Sequence, residues 1–289
     1  MGNMSNIQWF PGHMAKTKRK ITESLKLVDA VAEIVDARIP FSSRNPELDG
    51  LVGDKPRILI LSKPDLADPG ISAKWTAYFK QAGWVAFEAD CSSGRGLGQF
   101  LPGVKRLLEK KLRAYEAKGM TGKKLRVMVA GIPNVGKSSF INCMSKGAKA
   151  KVEDRPGVTR GNQWFTIDKN VELLDTPGVL WPKFDDPEVG ERLAFTGAIK
   201  DAVLDIESLA LRLIEFLMKE YPENLKERYK LTAVTDESAL GIAGEIGKKR
   251  GMLISGGEVD YERLSVMLLD EFRGGKIGRI SLEKPKRED

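Results

Sequence analysis

The sequence predicts an α/β fold with a mostly parallel sheet, followed by a small helical domain. Short β-rich apolar runs alternate with helical patterns as far as about residue 180, and such alternation is typical of a parallel sheet covered on both faces. A glycine-rich G-x-x-x-x-G-K-S segment at 131–138 separates one apolar run from a helical one. Beyond Trp181-Pro182 the periodicity is helical. We therefore predict two domains, 1–183 and 184–289.

The first domain contains six predicted strands. They are 30–36, 57–61, 85–89, 126–131, 163–168 and 171–174. Lys169-Asn170 splits the last two, which predicts a hairpin that supplies an antiparallel strand at the sheet edge. Amphipathic stretches at 71–81 and 97–117 predict helices that cover the sheet.

The second domain is predicted to contain about four helices. Apolar residues recur at helical spacing in 209–218, 240–246 and 264–272. Breaks are predicted at Tyr221-Pro222, at 248–251 and at Gly256-Gly257.

The composition, 42% hydrophobic and 30% charged, is that of a globular protein, and 289 residues leave room for two domains. No apolar run approaches the roughly 20 residues that a membrane span needs. The start of the chain has no signal-peptide or transit-peptide pattern, so we expect a cytoplasmic protein that does not contact membranes. Cys91 and Cys143 form no metal-binding spacing and no disulfide framework, so we expect both to be reduced.

Positive charge is concentrated in the first domain. Residues 1–183 hold 30 Lys and Arg against 18 Asp and Glu, whereas 184–289 hold 17 against 22. The densest stretch, 105–126, has nine Lys and Arg opposed by Glu109 and Glu116. It is either a solvated helix face or a surface for a polyanion, of which nucleic acid is the simplest.

The segment at 131–138 has the pattern of a P-loop that binds nucleotide phosphates. Gly131 and Gly136 permit turns that aim backbone N–H groups at phosphates, at the positive end of the following helix. Lys137 would bridge the β- and γ-phosphates, and Ser138 would bind Mg²⁺. The predicted phosphate-binding residues are Asn134, Val135, Gly136, Lys137, Ser138 and Ser139.

Two further residues would sense the γ-phosphate. Asp175 begins a D-x-x-G motif at a strand end, where its carboxylate can hold Mg²⁺, and Gly178 leaves its N–H free to approach the γ-phosphate. Thr159 is the candidate for the switch threonine that completes the Mg²⁺ ligands; the alternative is an ordinary threonine in a surface loop.

The segment Ser62-Lys63-Pro64-Asp65 follows an apolar strand and resembles the N-K-x-D loop that recognises guanine. Asp65 would accept hydrogen bonds from guanine N1–H and N2–H₂, which adenine lacks. Lys63 would cover the base, and Ser62 replaces the usual Asn. The residues Cys91 and Ser92 fit the loop that contacts guanine O6.

The order of these motifs is rotated. An ordinary GTPase has the P-loop first, D-x-x-G second and the guanine loop last, but here the guanine loop leads and none follows Gly178. The sequence therefore predicts a circularly permuted P-loop GTPase domain. One alternative is an RNA-binding scaffold without catalysis, which Val179 favours because it cannot position a water. The other is an ATPase or small-molecule kinase, which Asp65 disfavours.

The motif order, D-A-R-I-P at 36–40, W-F-P-G-H-M at 9–14 and the run at 173–183 resemble the ribosome biogenesis GTPase A family. The resemblance covers nearly the whole chain and implies a permuted G domain followed by a helical RNA-binding domain. It implies GTP as substrate, Mg²⁺ as cofactor, and hydrolysis stimulated by the large ribosomal subunit. The implied partners are the large-subunit precursor and its rRNA, and we expect a monomer.

The resemblance also assigns two residues. The family's proposed catalytic histidine corresponds to His13, the only histidine of the chain, and Asn134 matches the P-loop asparagine that supports potassium-dependent hydrolysis. With Lys137, Thr159 and Gly178, His13 completes the predicted catalytic set. Two features depart from the family: Ser62, and the acidic balance of 184–289, which leaves RNA contact there to local clusters such as 248–250.

Overall fold

The computed structural model describes residues 11–120, 122–146, 163–178, 186–234 and 237–285. These residues form two compact units. One consists of 11–178 together with 283–285, and the other consists of 186–282. Within the described ranges, no helix combines the length and the apolar character needed to cross a membrane.

The first unit is built on a six-stranded sheet. Its strands are β1 (Ala30–Asp36), β2 (Arg57–Ser62), β3 (Val85–Ala89), β4 (Leu125–Ala130), β5 (Gln163–Asp168) and β6 (Val171–Asp175). They lie in the order β3-β2-β1-β4-β6-β5, and all neighbours are parallel except β5 and β6. The predicted α/β fold is confirmed, including the hairpin that puts an antiparallel strand at the sheet edge.

Six helices of this unit are described. They are α1 (Pro11–Leu25), α2 (Pro46–Val52), α3 (Pro69–Gln81), α4 (Phe100–Leu107), α5 (Glu109–Ala117) and α6 (Lys137–Lys146). Asn45 and Asp68 cap α2 and α3 by accepting N–H bonds, and each is followed by a proline, which suits the first helical position.

One local prediction needs correction. The continuous helix expected over 97–117 is divided at Leu108, whose φ of −108° and ψ of 20° leave the helical region. The side chain of Leu108 is buried, whereas α5 buries none, so the apolar pattern that suggested one helix ends there. The backbone of the W-F-P-G-H-M segment is helical from Pro11, because proline is well tolerated at a helix start.

Apolar side chains cover both faces of the sheet. Every residue of β1 is buried, and one face packs against α1 and α2 through residues such as Ile21, Leu48 and Met128. The other face packs against α3, where the rings of Trp75 and Phe79 stack with centroids 5.5 Å apart. Because the strands are buried on both faces, the positions of the loops that follow them are fixed.

Glu283, near the end of the chain, packs within the first unit. Its carboxylate accepts hydrogen bonds from the backbone N–H of Phe41 and Ser42 and from the Ser42 hydroxyl, which lies 2.5 Å away. The indole N–H of Trp75 donates to the backbone carbonyl of Glu283 at 3.1 Å. These contacts join segments about 240 residues apart in sequence.

The second unit is helical. The helices described there are α7 (Pro187–Phe195), α8 (Ile206–Glu220), α9 (Pro222–Tyr229), α10 (Ala239–Lys249) and α11 (Tyr261–Arg273). About four were expected, and the described residues contain five. The break predicted at Tyr221-Pro222 is confirmed, because α8 ends at Glu220 and Tyr221 has a non-helical φ of −141°. Pro222 occupies the first position of α9, where its missing N–H costs no hydrogen bond. Leu213 and Leu217 of α8 and Leu268 of α11 are completely buried in this unit.

Candidate nucleotide-binding site

Three predicted motifs meet at one edge of the sheet. The guanine loop follows β2, the P-loop follows β4 and D-x-x-G follows β6, so all lie at carboxyl ends of parallel strands. A Cβ placed on Gly178 would lie 3.1 Å from the backbone nitrogen of Pro133, and one placed on Gly136 would lie 3.6 Å from Ser62 Oγ. The P-loop therefore lies between the other two motifs.

The P-loop backbone requires glycine at its first and last positions. A Cβ on Gly131 would come within 2.8 Å of the Ile34 carbonyl oxygen, a contact that side chains do not make. Gly136 has a φ of 94° and Asn134 a φ of 62°, both in the left-handed region. Helix α6 then begins at Lys137, which points its N-terminal N–H groups at the loop.

The side chains expected to act on phosphates and metal lie together. The ammonium group of Lys137 forms an ion pair with the carboxylate of Asp175. Ser138 and Ser139, in the first turn of α6, are exposed. A serine hydroxyl and a carboxylate at the end of a P-loop are oxygen ligands of the kind that Mg²⁺ prefers, so these residues fit the metal. Thr159, the third predicted ligand, lies outside the described residues.

Protein side chains alone provide no other metal site in the part of the chain that the structure describes. No group of three or more His, Cys, Asp or Glu side chains there is arranged to hold an ion. A P-loop metal site does not need one, because substrate phosphates and water supply most ligands of Mg²⁺.

Ser62 joins the guanine loop to the P-loop. Its side chain is buried, and its hydroxyl lies within hydrogen-bond distance of the Val135 carbonyl in the P-loop and 2.9 Å from the Val35 carbonyl. Ser62 stands where the usual motif has Asn, and its hydroxyl contacts the neighbouring P-loop directly.

Lys63 makes a second connection between the same loops. Its φ is 53°, and its ammonium group donates to the Asn134 carbonyl at 2.5 Å and to Asp36 Oδ2 at 3.0 Å. Val135 and Gly136 follow Asn134 directly, so the phosphate-binding and base-reading residues share one hydrogen-bonded framework.

Asp36 and Arg38 belong to this framework, although neither was assigned a functional role from the sequence. Arg38 is almost fully buried and donates to Asp36 through its backbone N–H, Nε and Nη2, at 2.8 to 3.0 Å. Burial opposes ionisation of Asp36, but Arg38 and Lys63 outweigh it and hold the pKa of this carboxyl well below its usual value. The buried carboxylate therefore stays charged and can fix Lys63. The sequence signal that could have identified Asp36 is its position at the end of β1, at the same sheet edge as the three motifs.

The Cys91-Ser92 loop lies beside the guanine loop. Strands β2 and β3 pair with Ser62 opposite Ala89, so the loops that follow them lie side by side. Burial is the largest cause that raises the pKa of the Cys91 thiol to about 12, and the charges of Asp90 and Asp65 contribute. The Cys143 thiol of α6 donates to the Cys91 carbonyl at 3.3 Å. Both cysteines are free thiols, as expected. Asp65 itself is exposed at its loop.

Asp90 shapes this loop and was missed in the sequence. Its carboxylate accepts bonds from the Ser92 N–H at 2.7 Å and from the hydroxyls of Ser92 and Ser93 at 2.6 and 2.5 Å. Burial raises its pKa, but these bonds prevail and lower it to about 2. An Asp followed by two serines after a strand is a local turn signal that could have identified it.

The catalytic prediction for His13 stays open. Its backbone belongs to α1, but its side chain is outside the described part, as are Val179 and the residues before Pro11. The structure therefore brings together Ser62, Lys63, the P-loop, Asp175 and Gly178, and it leaves His13 and Thr159 as predictions.

Comparison with protein families and curated proteins points to one group. A family profile described as "50S ribosome-binding GTPase" matches residues 126–239. Ribosome biogenesis GTPase A of Bacillus cereus is 48% identical over 280 residues, which cover 97% of this chain and 94% of that protein. Mitochondrial ribosome-associated GTPase 1 of Mus musculus is 34% identical and matches 96% of this chain and 90% of its own.

Solved structures agree with these sequence matches. The GNP-bound structure of YlqF from T. maritima is 28% identical, with a TM-score of 0.65, and covers 94% of this chain and 99% of its own. A GDP-bound YlqF structure, also 28% identical, has a TM-score of 0.67 and covers 93% of this chain and 100% of its own. The similarity spans both compact units of the chain.

Proposed function

We propose that this chain, a GTPase that belongs to the ribosome biogenesis GTPase A family, acts in late maturation of the large ribosomal subunit. Its switch state, set by bound GTP or GDP, would control association with the pre-ribosomal particle and its rRNA. The protein would act in the cytoplasm, as a monomer.

The observation that carries this proposal is the meeting of three motifs at one sheet edge. Lys137, Asp175 and Gly178 lie around the P-loop, and Ser62 and Lys63 attach the guanine loop to it. A site that detects both the base and the γ-phosphate can distinguish GTP from ATP and from GDP, and a molecular switch needs both distinctions.

Each residue then has a defined task on the substrate. Backbone N–H groups of 134–139 would hold the phosphates. The ammonium group of Lys137, which pairs with Asp175 in this structure, would contact the β- and γ-phosphate oxygens instead. Gly178, in close contact with the P-loop backbone at Pro133, would move when the γ-phosphate is lost. Asp65 would accept the two guanine donors, with Cys91 and Ser92 near O6.

Ser138, Asp175 and Thr159 are the proposed ligands of Mg²⁺, which when bound neutralises charge on the β- and γ-phosphate oxygens. Asn134 is the proposed ligand for K⁺, which its side-chain amide oxygen would hold, and its backbone carbonyl accepts a hydrogen bond from Lys63. Comparing GTP turnover in KCl and NaCl tests this assignment, and equal rates would contradict it.

We further propose that 1–183 is the nucleotide-binding domain and that 184–289 is a helical RNA-binding domain. The helical character of 186–282 and the exposed cluster at 248–250 support this division. Local basic clusters bind phosphate backbones even where the overall charge is negative.

GTP turnover measured with and without purified large ribosomal subunits tests the proposal. We expect slow turnover by the protein alone and a marked increase with the subunits. No turnover under either condition would favour the scaffold alternative, in which nucleotide only stabilises the fold. A competition between GTP and ATP for binding addresses the ATPase or kinase alternative, and equal affinity would support that alternative.

A further inference from the structure

A basic cavity opens at the sheet edge opposite the nucleotide site. It encloses about 590 Å³ and lies where α1 ends and where β1, β2, β4 and β6 begin. The nucleotide loops follow the other ends of these strands. Six-residue strands such as β4 separate the two edges by about 20 Å, at roughly 3.3 Å per residue. The cavity therefore cannot be part of the nucleotide site.

Cations dominate the wall of this cavity. The charged residues that line it are Lys26, Lys55, Lys111, Lys123, Lys124 and Arg126, with Asp29 and Glu172. Six positive charges face two negative ones, so the wall carries a net charge of +4.

Both carboxylates of the wall already have partners. Asp29 forms an ion pair with Lys111 and accepts the backbone N–H of Arg126 at 2.9 Å. Glu172 is buried and pairs with Arg126 at 2.8 Å and with Lys124 at 3.8 Å. These two carboxylates therefore pair with three of the six cations, Lys111, Lys124 and Arg126.

The other three cations have no such compensation within the described ranges. There, Lys26, Lys55 and Lys123 have no carboxylate within salt-bridge distance. Lys55 donates to the Val28 carbonyl at 2.9 Å, and the ammonium group of Lys123 lies 4.6 Å from the centre of the Tyr115 ring. Concentrated positive charge in a concave wall attracts an anion.

The neighbouring helix α5 extends this charge beyond the cavity. None of its nine residues is buried, and it carries Lys110 and Arg113 in addition to Lys111. Glu109, which pairs with Arg113, and Glu116 oppose these cations, so the helix has a net charge of +1. A small phosphate compound would fill the cavity and leave the helix unused. A polymer with regularly spaced phosphates could neutralise both.

We propose that this cavity and α5 bind the phosphodiester backbone of RNA, as a contact separate from the nucleotide site and from the helical unit. This inference rests on the proposed function, because it takes the rRNA of the large-subunit precursor as the ligand. Tyr115, flanked by Lys111 and Lys123, would lie against the strand between two phosphate contacts. Contacts of this type recognise charge and spacing rather than sequence.

The double variant Lys26→Ala/Lys123→Ala tests the inference. The matched control is Lys74→Ala/Lys80→Ala, which removes two exposed lysines from α3, away from the cavity. Affinity for large-subunit rRNA transcribed in vitro is measured over a series of KCl concentrations for the wild type and both variants. Equal melting temperatures establish folding; Lys26→Gln/Lys123→Gln, which keeps longer side chains, replaces the alanine variant if that one unfolds.

Losing two phosphate contacts should lower the slope of log affinity against log salt by about 1.4 to 1.8. The control should keep the wild-type slope, and all three proteins should bind a fluorescent GTP analogue equally. A cavity variant with the control's slope would overturn the inference. Loss of inorganic pyrophosphate binding with unchanged RNA binding would also overturn it, in favour of a small phosphate ligand.

The same experiment separates this inference from the proposed function. Wild-type protein that binds no rRNA and shows no stimulation by large subunits would refute the proposed function, and the inference with it. Wild-type protein that binds and is stimulated, beside a cavity variant that behaves identically, would refute the cavity contact alone.

Discussion

Replacing Ser62 by alanine is the sharpest test of how this site is assembled. The hydroxyl lies between two buried backbone carbonyls, Val135 in the P-loop and Val35 in β1. Ser62→Ala removes one oxygen atom and leaves the carbonyls without this donor. A net hydrogen bond contributes about 0.5–1.5 kcal/mol, and an unsatisfied buried partner costs about 1–3 kcal/mol. We expect the free energy of unfolding to fall by about 1–2 kcal/mol.

Ser72→Ala is the matched control. Ser72 is completely buried in α3, and within the described residues its hydroxyl has no hydrogen-bond partner. Removing that hydroxyl relieves an unsatisfied group and adds a better helix former, so stability should stay constant or rise by up to about 1 kcal/mol. The difference between the two alanine variants isolates the hydrogen bond, because both remove the same atom from a buried serine.

Urea unfolding followed by tryptophan fluorescence measures this difference. All five tryptophans lie between Trp9 and Trp181, so the signal reports on the nucleotide-binding part of the chain. The Ser62→Ala variant should also bind GTP more weakly, by about tenfold at most, because about 1.4 kcal/mol corresponds to tenfold in affinity. If Ser62→Ala matches Ser72→Ala in both stability and GTP affinity, the hydroxyl does not join the two loops.

Three further predictions concern the reaction. Asp65→Asn should shift preference from GTP toward xanthosine triphosphate, with a loss of about 1.5–3 kcal/mol in GTP binding; unchanged GTP affinity in a competition assay would remove the guanine-loop assignment. Lys137→Ala should weaken GTP binding, whereas Gly178→Ala should leave it largely intact and block the rearrangement, because an added methyl would lie 3.1 Å from Pro133 N. Normal release of Gly178→Ala from ribosomal particles after GTP addition would contradict its switch role. His13→Ala should reduce subunit-stimulated turnover by roughly 10²-fold or less with GTP affinity nearly unchanged; equal stimulated rates would leave His13 without a catalytic role.

The sequence predicted the strands well because each is a short apolar run with clear polar or glycine boundaries. The predicted 30–36, 85–89 and 163–168 have the observed bounds, 57–61 and 171–174 end one residue early, and 126–131 is shifted by one residue. The motifs that follow them were placed correctly for the same reason, since parallel strands bring their carboxyl ends to one edge. The break at Tyr221-Pro222 was predictable because proline cannot continue α8 but suits the first position of α9.

Contacts between distant segments could not be predicted from local patterns. Ser62 differs from the usual motif, and only the fold shows that its hydroxyl reaches Val135. Asp36 was noticed as part of a motif, but its bond to Lys63 depends on how β1 and β2 lie side by side. Glu283 lies in a tail without pattern, and its partner Ser42 is 241 residues away. Such pairs depend on tertiary packing, which periodicity does not encode.

The rotated order of the motifs has a consequence for how the newly made chain folds. Strand β1 pairs with β2 on one side and with β4 on the other, but β4 ends at Ala130, 94 residues after β1 ends at Asp36. At about 5–20 residues per second, translation leaves that edge of β1 unpaired for roughly 5–19 seconds. All seven residues of β1 are buried in the finished sheet, so this edge is prone to unwanted pairing during that interval. GTP can stabilise the sheet only after the phosphate loop has followed, whereas a GTPase with the ordinary motif order makes that loop first.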